Sequence, residues 1–78
     1  MTATDKQIRQ LRTEAMNHGD ALMAILCDVA LGRIYSAAEL NDDSCLTPRE
    51  CRQVLATSAA AARAECESAI ADASAQEG

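Results

Sequence analysis

The stretch ELNDDSCLTPRE, Glu39 to Glu50, decides how the chain folds. Read as a calcium loop, it places oxygen-bearing side chains at Glu39, Asn41 and Asp43, an apolar residue at Leu46 and a closing glutamate at Glu50. An EF-hand loop needs that rhythm, with a short aspartate at the first ligand position and a glycine at the sixth to make the sharp turn. Here Glu39 replaces the aspartate and Ser44 replaces the glycine, and no second loop follows to form the usual pair. Read as a helix start, the same stretch is complete. Thr47 is the N-cap, Pro48 takes the first helical position, and Glu50 sits where a capping box needs it. Leu46 before the cap and Cys51 in the following turn are placed as a hydrophobic staple. The helix start is the better reading, and a divalent-cation sensor remains as an alternative function.

Working outward, the remaining signals are also helical. Thr4 and Gln7 form a capping-box pattern, and Ile8, Leu11, Ala15 and Met16 recur as one apolar stripe ending at Gly19. Asp20 then caps ALMAILCDVAL, which is apolar on several sides. Such a helix is either central in its own fold or shared with another chain. Gly32 either stops it or weakens it. Ser36 and Glu39 give a further start signal. From Cys51 the positions Val54, Leu55, Ala59, Ala62, Cys66, Ala69, Ile70 and Ala73 trace one helical face, with Thr57-Ser58 as the one place for a break. The expectation is an all-α fold, a small bundle of three main helices at about 5–18, 20–32 and 48–75 with a short helix near 36–41, forming a single domain over 1–78.

Composition limits the core. The 78 residues contain no Phe or Trp, and Tyr35 is the only aromatic residue. Alanine supplies much of the apolar fraction and buries little area, so the stabilising surplus is small and dimerisation is one remedy. A net charge of −5 argues against direct nucleic-acid binding through a basic face. The polar N-terminus lacks a signal-peptide pattern, and no apolar run approaches the roughly 20 residues that span a bilayer. The expectation is no membrane association, a cytoplasmic location in a bacterial host, and reduced thiols at Cys27, Cys45, Cys51 and Cys66.

Catalytic and metal-binding patterns are weak. The cysteines show no close C-x-x-C pair, and His18, the only histidine, sits at a helix end where it would meet terminal carbonyls. Cys27 and Cys66 read as small core residues. Cys45 and Cys51 straddle a helix start, which leaves a disulfide between them open on oxidation. Glu65 and Glu67 fall on different helical faces. No enzyme, cofactor or metal is expected.

Leu11, Arg12, Glu14, Ala15, Gly19, Asp20, Met23, Leu26, Cys27, Ala30, Leu31, Ala62, Arg63, Glu65 and Cys66 follow an LRxEA…GD…MxxLC…AL…ARxEC pattern. In this the chain resembles short uncharacterised helical proteins of bacterial prophages and plasmids. The resemblance covers roughly half the chain and departs between Arg33 and Ser58. It implies a mobile-element setting and no particular activity. Small acidic proteins from that setting often bind host machinery, anti-CRISPR proteins among them, an analogy of context. The resulting expectation is a noncatalytic inhibitor of a host defence complex. Glu39, Asp42, Asp43, Glu65, Glu67 and Asp72 would meet a host protein or nucleoprotein complex with a basic surface. A homodimeric structural or accessory protein, paired through Leu22 to Leu31, is the competing expectation.

Overall fold

The computed structural model describes residues 3–43 and 45–77, the side chains of 43 and 74–77 apart. Among these residues the fold is all helical, with five helices: α1 Asp5–Asn17, α2 Ala21–Ala30, α3 Ala37–Asp43, α4 Pro48–Ala56 and α5 Ala59–Glu77. The expected starts are built as the sequence specifies. Thr4 with Gln7 and Thr47 with Glu50 close full capping boxes, and Asp20 accepts the Met23 N–H. Ser36 and Glu39 form the same reciprocal pair ahead of α3, with the Glu39 N–H on the Ser36 hydroxyl at 3.2 Å. Gly19 at φ 74° and Gly32 at φ 103° supply the left-handed residues that end α1 and α2. Gly32 therefore stops α2, where the Arg33 N–H closes back onto the Asp28 carbonyl at 3.0 Å.

The last helix is where the expected three-helix layout changes. Residues 48–75 do not form one helix, because Thr57 adopts an extended conformation at φ −92°, ψ 123°. Its hydroxyl donates to the Gln53 carbonyl at 2.6 Å, and Ser58 accepts the Ala61 N–H at 3.1 Å to begin α5. Threonine and serine thus each satisfy one orphan group, at the end of α4 and at the start of α5. Cys51 and Val54 are buried before this corner and Ala62 and Cys66 after it, whereas Leu55 and Ala59 on the expected common face are exposed.

α2 is the central helix, packing on α1, α4 and α5, while α3 packs on α4. Ile25, Leu26, Cys27, Val29 and Ala30 are buried in these contacts. Most of the apolar circumference of Leu22 to Leu31, the expected dimer interface, is spent within the chain, with Leu22, Met23 and Leu31 only partly buried. The large side chains with the least exposure are Ile8 and Leu40, joined by Cys27 and Cys66. Each such aliphatic contributes about 1.5–3 kcal/mol on burial. Leu46 packs against the same core and Cys51 lies within it, as the staple positions require. Met16, expected on the inner stripe of α1, is 56% exposed instead. None of the helices, among the described residues, is long and apolar enough to cross a membrane.

The opening stretch is divided between two helices. Glu39, Asn41 and Asp43 lie in α3, a helix where an EF-hand loop has an open turn. Ser44 and the side chain of Asp43 lie outside the described residues. Among the described residues, no three His, Cys, Asp or Glu side chains converge to hold a metal ion.

Candidate functional site

The acidic side chains singled out in the sequence divide into those used by the fold and those left free. Glu39 caps α3 through Ser36, and its other carboxylate oxygen stands 3.6 Å from Arg33. Glu67 accepts the Ala3 N–H at 2.7 Å, while Arg63, one turn earlier on α5, donates to the Ala3 carbonyl at 2.9 Å. Arg63 also meets Asp5 at 2.7 Å, a hydrogen bond that holds the Asp5 carboxyl below its ordinary range. Arg63 and Glu67 thereby fasten both backbone groups of Ala3 to α5.

Asp42 on α3, and Glu65 and Asp72 on α5, are exposed and carry no ion pair among the described residues. Glu65 and Asp72 are two turns apart on one outward flank of α5, and Glu67 points to the opposite flank. Since α3 does not pack on α5, Asp42 and the α5 carboxylates belong to separate surface groups and not to one patch.

A second polar assembly had not been anticipated. Asp28, the only charged residue of α2, is largely buried and gathers side chains from three directions. Tyr35 donates its hydroxyl to Oδ2 at 2.8 Å, Arg12 Nε stands 2.7 Å from Oδ1, and Arg33 lies 3.9 Å away. The Arg12 contact is an ion pair whose N–H is not aligned on the carboxylate, since that nitrogen has no hydrogen bond. Arg33 stacks 4.2 Å from the centroid of the Tyr35 ring. Burial, followed by the bond to Asp28, pushes the Tyr35 hydroxyl up to about 12. The signal was present in the sequence: a lone carboxylate in an otherwise apolar helix needs partners from elsewhere in the chain.

This assembly borders a cleft of about 350 Å³ floored by Ala24 and Ile25, with Met16 on its wall. A groove of about 390 Å³ lies between the α2–α3 connection and the α4–α5 corner, where Ile34 is 90% and Leu55 48% exposed.

The cysteines occupy three environments. Cys27 and Cys66 lie in the core with their sulfurs 3.6 Å apart, as expected of core residues. Burial raises both thiols, Cys27 to about 12 with a further contribution from its hydrogen bond to Cys66. Cys51 donates to the Leu40 carbonyl at 3.5 Å, and Cys45 is exposed in the left-handed region at φ 60°. His18 is exposed, and its backbone N–H closes α1 onto the Glu14 carbonyl at 3.1 Å.

Comparison with protein families, curated proteins and solved structures gives no match.

Proposed function

We propose that the protein is a noncatalytic protein-binding module whose recognition charge lies on free surface carboxylates. Its sharpest form is a mobile-element inhibitor that occupies the basic nucleic-acid channel of a host defence complex, as anti-CRISPR proteins do, which would place it in the cytoplasm of a bacterial host. The supporting observation is that Asp42, Glu65 and Asp72 are exposed with no cation partner among the described residues, whereas Asp5, Asp28 and Glu67 each have a partner within the chain. A carboxylate with no intramolecular partner gives up only its hydration when it meets a lysine or arginine of another protein. The two separate acidic groups suit an extended basic channel better than a single basic pocket. Glu39 and Glu67 leave the contact set, because each already has a structural partner.

The test is affinity capture from lysate of a bacterium carrying such a defence system, with heparin as a competing polyanion. The native chain should recover a nucleic-acid-binding complex, and heparin should release it. The combined variant Asp42→Lys, Glu65→Lys, Asp72→Lys should lose it while keeping its helical spectrum. Undiminished capture by that variant rules the charge mechanism out.

A further inference from the structure

Beyond the acidic surface, the cleft beside Asp28 has a chemistry of its own. Its acceptors are already engaged and its donors are not. Asp28 holds Arg12 on one oxygen and Tyr35 on the other, and Glu39 has one oxygen on Ser36 and the other toward Arg33. The Arg12 Nη nitrogens make no hydrogen bond among the described residues, and the contact with Asp28 runs through Nε. Arg33 reaches its two carboxylates at 3.9 and 3.6 Å, beyond hydrogen-bond length. Two guanidinium forks thus stand with unused donors at the rim of a cleft whose floor is apolar. A planar guanidinium matches a carboxylate in two parallel hydrogen bonds.

We propose that this cleft binds a carboxylate carried on a short apolar body, with the acid on Arg12 and Arg33 and the body over Ala24, Ile25 and Met16. Asp28 is the positioning residue, holding Arg12 at the rim without capping its outer nitrogens. Tyr35 carries Arg33 on its ring face and is itself fixed by Asp28. Glu39 is the internal competitor for Arg33 and is displaced from it when the ligand's acid arrives. Such an acid could be a free metabolite or the C-terminus of a peptide, and both present the same group to the arginines.

The experiment is an amide NMR titration of the full chain with phenylacetate, and separately with acetyl-alanyl-phenylalanine. The matching amides serve as controls. Saturable shifts at Arg12, Ala24, Arg33 and Tyr35 from either acid, at least about tenfold weaker from its amide, are expected. Tighter binding of the free acid identifies a metabolite-sized ligand, and tighter binding of the peptide identifies a chain terminus. Arg12→Gln should weaken the binding at least about tenfold, with Arg33→Gln as the second variant should Arg12→Gln fail to fold. Glu39→Gln, which keeps the helix cap but removes the competing charge, should tighten it. Flat titrations with both acids, equal binding of acid and amide, or loss of affinity in Glu39→Gln would each overturn the assignment.

Discussion

Truncating Glu67 to alanine separates its structural duty from its charge. Its carboxylate accepts the Ala3 N–H at 2.7 Å, and Ala3 is 3% exposed, so the truncation leaves a buried donor without its acceptor. Losing a hydrogen bond to a charged group costs about 1.5–3 kcal/mol when the partner stays dry. Ala3 precedes α1 outside any helix, where the segment can peel away and recover water, which puts the cost in the lower half of that range. Alanine is also the better helix former by a few tenths of a kcal/mol, which offsets a little more. The net expectation is a loss of about 1–1.5 kcal/mol, or roughly 5–10 °C in melting temperature for a domain of this size. Thermal and urea melts followed by circular dichroism would measure it, with faster hydrogen exchange at Ala3 as the local signature. Glu65→Ala, two positions away on the exposed flank, should stay within about 0.5 kcal/mol of the native protein. Coincident melts for Glu67→Ala and Glu65→Ala would refute the fastening role. They would also return Glu67 to the surface available for binding.

Three other perturbations follow from single features. Thr47→Ala removes the cap of α4 and should cost about 1 kcal/mol in a urea melt, because the Glu50 N–H loses its acceptor. At alkaline pH, Cys27 and Tyr35 hold their protons up to about 12 when folded, above their ordinary values of 9.0 and 10.0. A raised folded pKa leaves stability intact below the unfolded value and removes it as pH climbs, so melting temperature should decline from pH 9 toward 12. Cys27→Ala should flatten the first part of that decline. At the acid end the sign reverses. The Asp5 carboxyl is held below 3.8 by Arg63, so its small contribution is present above that pH, and Asp5→Asn should remove it.

How much of this was legible in the sequence depends on the range of the interaction. Helix starts were legible because caps act over three residues: Thr4, Asp20, Ser36 and Thr47 all cap as their spacing specifies. The glycine stop at 19 was legible for the same reason, whereas the sequence left open whether Gly32 stops or only weakens its helix. The Thr57-Ser58 corner was visible as a weak point, but whether the helix breaks there depends on one residue's backbone angles. The contacts between distant residues were not legible. Glu67 looked like surface charge because nothing local reveals that Ala3, at the far end of the chain, will present its N–H there. Asp28 gave a clue in its apolar surroundings, yet which arginines and which tyrosine answer it is decided by how α1 and the α2–α3 connection pack on α2.

The same long-range geometry explains how a chain with so little bulky apolar material closes a core. Where α5 meets α2 its inward residues are Ala62 and Cys66, both with no exposed surface, and opposite them lies Cys27. Small side chains let two helix backbones approach closely, so contact area comes from the backbones and short side chains and not from large ones. That close approach leaves no space for added volume. Ala62→Leu should cost about 1–3 kcal/mol through displaced helices and strained rotamers, even though leucine is more hydrophobic. The neighbouring Ala61→Leu, on the exposed side of α5, should stay within about 0.5 kcal/mol. Urea denaturation of both variants distinguishes the two cases, with the midpoint falling for Ala62→Leu and an unchanged slope showing that the unfolding remains two-state. An Ala62→Leu protein as stable as the native one would mean that α2 and α5 leave room for a large side chain. The core would then owe its closure to Ile8 and Leu40 and not to close contact between these two helices.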